Sequence, residues 1–135
     1  MDNQKEQFGM LLEAAEKAKK NAYAPFSDFH VGAALLAKNG QIFTGVNIEN
    51  SSYGATNCAE RTALFKAVSE GVREFAAIAV LSDSEELIYP CGICRQALND
   101  FVDDDFIVVC GNCRKEYEVY RFRDLLPHVG IPLFE

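Results

Sequence analysis

The fold class that the sequence predicts is layered α/β, a mixed sheet covered by helices, and three observations carry it. Residues from about Gln4 to Ala22 bring apolar side chains round at helical spacing. Asn39-Gly40, set between two strand-like runs, is the strongest short hairpin signal. Further on, helical patterns alternate with short apolar runs of strand length.

Taken in order, Phe8, Leu11, Leu12, Ala15 and Ala22 make one face of the first helix, with Lys and Glu on the other. Pro25, followed by Ser27 and Asp28, ends it. Phe29 to Lys38 and Gln41 to Asn47 form the two antiparallel strands of the hairpin, and Asn47 to Thr56 has loop composition. A second helix runs from Cys58 to Glu70, with Gly71 placed for its C-terminal turn. Phe75 to Leu81 reads as a buried strand, Ser82 to Tyr89 as an acidic loop and Cys91 to Phe101 as a third helix. Strands at Phe106 to Cys110 and Glu116 to Phe122 bring the total to five, and Asp124 begins a short terminal helix. No repeat, low-complexity tract or linker divides residues 1–135, so a single domain is expected.

Composition narrows the function classes. Thirteen basic residues against twenty acidic ones give a formal charge of −7, which opposes the phosphate neutralisation that nucleic-acid binding needs. A small neutral or cationic ligand fits better. The first residues lack a secretory pattern and no apolar run is long enough for a bilayer, so a cytoplasmic protein with no membrane partner is expected. In that compartment five cysteines are metal ligands or free thiols before they are disulfides.

Chemistry concentrates in Cys58-Ala59-Glu60 and Pro90-Cys91-Gly92-Ile93-Cys94-Arg95-Gln96. Cys58 opens one expected helix, while Cys91 and Cys94 open another and share one side of its first turn. Helix starts favour thiolates, so three sulfurs can hold a zinc ion with one coordination position left for water. Three thiolates leave the centre with net negative charge, and Arg61 and Arg95 are candidates to offset it by hydrogen bonding to sulfur. Glu60 is the expected proton carrier, against the plainer role of a first-turn carboxylate facing the helix dipole. Cys110 and Cys113 offer a rival reading, a closed structural zinc site of four thiolates with Cys91 and Cys94. Their other reading is a core thiol and a surface thiol. His30 and His128 fall at no ligand spacing and read as structural or solvated.

These residues resemble the small homotetrameric cytidine deaminases. The matching pieces are Tyr23-Ala24-Pro25-Phe26-Ser27 with Val31-Gly32-Ala33, Thr44-Gly45-Val46-Asn47-Ile48-Glu49-Asn50, Tyr53-Gly54, Cys58-Ala59-Glu60-Arg61 and Pro90 to Gln96. The general zinc-deaminase pattern is a ligand, any residue, Glu, then Pro-Cys-x-x-Cys. The resemblance implies a three-layer domain, one zinc per chain on Cys58, Cys91 and Cys94, and Glu60 as proton shuttle. It implies that Asn47 and Glu49 contact ribose hydroxyls, that Phe26 walls the base pocket, and that Tyr53 and Ala59 help to bind substrate. The implied reaction is deamination of cytidine and deoxycytidine, with blasticidin S as an alternative substrate and a non-catalytic zinc module as another reading. Family members carry an aromatic from a neighbouring subunit shortly after Leu-Leu-Pro. Here Leu125-Leu126-Pro127 is followed by no aromatic until Phe134, which is the candidate for that stack.

Overall fold

The computed structural model describes residues 2–129, so Phe134 lies outside the described residues. Helix α1 spans Asp2–Lys19, followed by strands β1 (Val31–Ala37) and β2 (Ile42–Val46). Helix α2 (Ala59–Ser69), strand β3 (Phe75–Ser82) and helix α3 (Gly92–Asn99) follow. Strands β4 (Ile107–Gly111) and β5 (Tyr117–Arg121) lead into the short helix α4 (Phe122–Leu125).

The five strands form one sheet in the order β2-β1-β3-β4-β5, with β3 and β4 parallel and the other neighbours antiparallel. Alternation along the strands divides the core into two layers. Ala33 and Leu35 of β1, Ile78 and Val80 of β3 and Val108 of β4 face α2 and α3, packing on Ala63, Leu64 and Leu98. Ala34, Ala79, Leu81 and Val109 face the other way, onto Phe8, Leu11, Leu12 and Ala15 of α1. Strand β3 is therefore covered on both sides, which is why its sequence is a continuous apolar run. A register irregularity at Ala37 and Phe75 offsets the pairing at the start of β3.

Two glycines set how closely the helices lie. A Cβ on Gly32 would stand 2.0 Å from the Ala15 carbonyl oxygen, and one on Gly45 would stand 2.4 Å from both the Ala59 oxygen and the Ala63 nitrogen. Any larger residue at Gly45 would push the first turn of α2 off the sheet. In the hairpin loop, Gly40 takes φ of 95°, as the Asn39-Gly40 signal requires.

Element ends depart from expectation where the backbone finds other partners. Helix α1 stops at Lys19, before the expected Ala22, because Tyr23 donates its N–H to the Asn47 oxygen and accepts from the Glu49 N–H. Phe29 and His30 lie outside β1, tied instead to Asn47 and Asp83. Helix α4 begins at Phe122, two residues before Asp124, since the buried Phe122 ring and its N–H to Phe106 fix the turn there. Tyr53–Ala55 forms a 3-10 turn within the stretch read as loop.

Candidate active site

Cys58 is the N-cap residue of α2 and Cys91 that of α3, so both thiols stand at helix starts where backbone N–H groups are unpaired. The Sγ atoms of Cys58, Cys91 and Cys94 all lie within 4.8 Å of one another, although 33 residues separate Cys58 from Cys91. Cys58 and Cys91 are 3.8 Å apart at sulfur. Tetrahedral zinc with Zn–S bonds of 2.3 Å requires a sulfur–sulfur edge of about 3.8 Å, so the donor set and its spacing fit this ion. Neither Cys110 nor Cys113 belongs to the group found among the described residues. Cys110 is buried at the end of β4, and desolvation pushes its thiol up to about 12. A closed four-sulfur centre on the downstream cysteines is not what the fold builds.

Electrostatics favour a cation. Cys58 is held well below the ordinary thiol value by hydrogen bonding with Cys94, Arg61 and Cys91, with burial opposing. Cys94 is raised, chiefly by the same contact with Cys58 and then by burial. Within this pair the contact favours the thiolate at Cys58 and the thiol at Cys94. Arg61 donates from Nη2 to the Cys58 sulfur at 3.4 Å. Arg95 corrects the expectation of a sulfur contact: it donates from Nε to the Pro90 oxygen at 2.7 Å and from Nη1 to the Leu125 oxygen at 2.9 Å. Its place one residue past Cys94 turns it toward the segment behind α3, where it ties the motif's entry to the end of α4.

Glu60, two residues from Cys58 in the first turn of α2, is 5% exposed. Burial pushes its carboxyl up to about 7, with Cys58 adding to the rise and Arg61 opposing it. A carboxyl titrating near neutral pH is suited to both accepting and donating a proton. The plainer helix-dipole role does not account for its burial.

A short ladder joins the three-cysteine cluster to the other expected contacts. Ile48 exchanges both backbone hydrogen bonds with Asn57 at 2.9 Å, and its neighbours Asn47 and Glu49 bond to Tyr23. Cys58 and Glu49 are thus each one residue from the same bridge. Asn47 uses its side chain structurally, accepting from the Val31 N–H at 2.9 Å and donating to the Phe29 oxygen at 2.7 Å. Beside the ladder, an open cleft of about 520 Å³ is lined by Phe26, Ser27, Glu49, Asn50, Tyr53 and Thr56, among others. Its walls include neither the three thiols nor Glu60. Phe26 is 69% and Tyr53 93% exposed, whereas Ala59 is fully buried. In the sequence Ser27 reads as a turn residue with no role of its own in the site. Its hydroxyl donates to Glu49, whose other oxygen accepts the N–H groups of Phe26 at 2.9 Å and Ser27 at 3.1 Å.

Three thiols at helix starts beside a buried, near-neutral carboxyl define a zinc hydrolase of the deaminase type. Comparison with known proteins names the family: the cytidine and deoxycytidylate deaminase zinc-binding region matches residues 5–110, and the chain belongs to it. It is 50% identical over 118 residues to the cytidine deaminase of Halalkalibacterium halodurans, covering 87% of this chain and 89% of that one. The crystal structure of cytidine deaminase from Burkholderia pseudomallei superposes with a TM-score of 0.84 at 49% identity, covering 88% and 95% of the two chains. The blasticidin-S deaminase of Bacillus cereus is more distant, 35% identical over 108 residues, covering 73% of this chain and 77% of that one.

Proposed function

We propose that the protein hydrolyses cytidine and deoxycytidine to uridine and deoxyuridine with release of ammonia. The observation that carries this is the convergence of Cys58, Cys91 and Cys94 beside the buried carboxyl of Glu60. Bound by the three thiolates, zinc supplies the Lewis acidity that makes water a nucleophile near neutral pH. Glu60 accepts a proton from the attacking water at a carboxylate oxygen and delivers it to N3 of the ring; it then takes the second proton from the new C4 hydroxyl and passes it to the departing amine as the C4–N bond breaks. Arg61 steadies the Cys58 sulfur and offsets thiolate charge. Arg95 braces the Pro90-to-Cys94 turn from behind.

Phe26 walls the base, and Ala59 offers a first-turn backbone N–H that the helix leaves unpaired. Glu49 accepts a sugar hydroxyl; as an anion it disfavours a phosphate, which selects nucleosides over nucleotides. Asn47 holds the segment that carries Glu49, and Tyr53 stands at the rim of the cleft. A homotetramer is part of the same reading, with Phe134 reaching the base of a neighbouring subunit. The exposed Phe26, Tyr53 and Ile93 leave apolar surface for such an assembly to cover. A chain that sediments as a monomer while turning over cytidine overturns both statements.

The substrate test is direct: purified protein is incubated with cytidine, deoxycytidine and blasticidin S, and ultraviolet absorbance and ammonia are followed alongside the zinc-to-protein ratio. Cytidine turnover with about one zinc per chain is expected. Turnover of blasticidin S alone overturns the substrate assignment. Reuse of pyrimidine nucleosides in the cytoplasm is the setting this activity would serve, and an extracellular location in fractionated cells would overturn it.

A further inference from the structure

Glu49 is not a free loop acid. A carboxylate offers about four acceptor positions, and three are already taken. One oxygen accepts the backbone N–H groups of Phe26 and Ser27, and the other accepts the Ser27 hydroxyl. That hydroxyl is itself fixed, because its oxygen accepts the Phe29 N–H at 3.1 Å. The donors come from a segment 22 residues earlier in the chain, so this is a tertiary arrangement. All three residues, Phe26, Ser27 and Glu49, line the same cleft.

We infer that Ser27 is a positioning residue, orienting the Glu49 carboxylate so that one acceptor position is left for a single sugar hydroxyl. The inference rests on the reading of Glu49 as a sugar contact given above. A half-buried carboxylate lacking the Ser27 bond would keep its two amide donors, but its second oxygen would be free to turn to solvent. Substrate would then have to order it on binding, which weakens binding and leaves the proton steps at Glu60 alone. In agreement, the Ser27 hydrogen bond is the largest influence holding Glu49 below the usual carboxylate range, keeping it an acceptor.

The test compares cytidine with 2′,3′-dideoxycytidine, which offers no hydroxyl at the ribose 2′ and 3′ positions. Binding of the analogue is measured by competition where turnover is slow. Ser27→Ala should raise the KM for cytidine about tenfold with kcat held within about threefold, consistent with loss of one hydrogen bond to a charged group. Binding of the dideoxy analogue should be unchanged, and Ser27→Thr should restore cytidine KM. An equal loss for both ligands, or no loss for either, overturns the positioning role. Glu49→Gln separates the two ideas: if it weakens neither ligand, the sugar-contact reading itself fails.

Discussion

Among single residues, Glu60 is the sharpest point of the mechanism. Its proposed part is to move protons, and it lies outside the sulfur cluster, so Glu60→Ala should keep one zinc per chain and the native fold. Ammonia release should fall by at least about a hundredfold, the lower bound usual for a lost acid/base group. Metal analysis paired with an ammonia assay checks this, and near-normal activity would end the mechanism. A second residue reports on pH. Burial opposes ionisation of Asp83, but hydrogen bonds from His30 and Lys19 outweigh it and hold the carboxyl below its ordinary value of 3.8. A folded value below the unfolded one stabilises the protein above about pH 4, and that contribution disappears as pH falls through the folded value. Asp83→Asn lacks it, so the gap in urea midpoint between wild type and variant should narrow from about pH 5 to pH 2. A constant gap would mean that Asp83 acts by packing alone. Placement carried by local spacing was readable at this scale: Cys58 and the Cys91/Cys94 pair stand at helix starts and their sulfurs converge, with Glu60 in the first turn beside Cys58. That of Ser27 and Arg95 was not, because the atoms they bond to lie 22 and 30 residues away or depend on which way a helix side chain turns.

Elements were legible wherever burial imposes a period. The two-sided run of β3, the hairpin and the helix beginning at Cys58 all follow from spacing that packing then enforces. Their ends were not, since Tyr23, His30 and Phe122 leave their elements to meet partners far along the chain. Gly45 is the place where an element's position controls chemistry. Gly45→Ala should destabilise by about 1–3 kcal/mol through overpacking against α2. Because the displaced turn carries Cys58 and Glu60, zinc affinity should fall with it, as a chelator competition would record. Gly9→Ala is the contrast: nothing lies within 4 Å of a Cβ there. At that position in α1 the change should stabilise by about 0.5–1 kcal/mol, from helix propensity alone. Equal effects at the two glycines would refute the close approach.

The whole molecule is tied together at its sulfur centre. An ion that binds the folded state and not the unfolded one raises stability by mass action, so a strong chelator should lower the melting temperature and cytidine addition should not restore it. Replacing Cys110 with Ala and Cys113 with Ser should leave zinc content and turnover intact. Loss of metal in that double variant would revive the closed-site reading. Only one of the three sulfurs precedes β3, and the other two follow it. On a ribosome, a chain that has emerged only as far as β3 offers a single thiol, too few to retain the ion. Loading must then wait until Cys94 has cleared the exit tunnel, so the hairpin and the doubly covered strand have the chance to pair before any metal joins them. Zinc would then join part-way through biogenesis, after the hairpin and β3 but ahead of β4 and β5, which still have to add to the sheet.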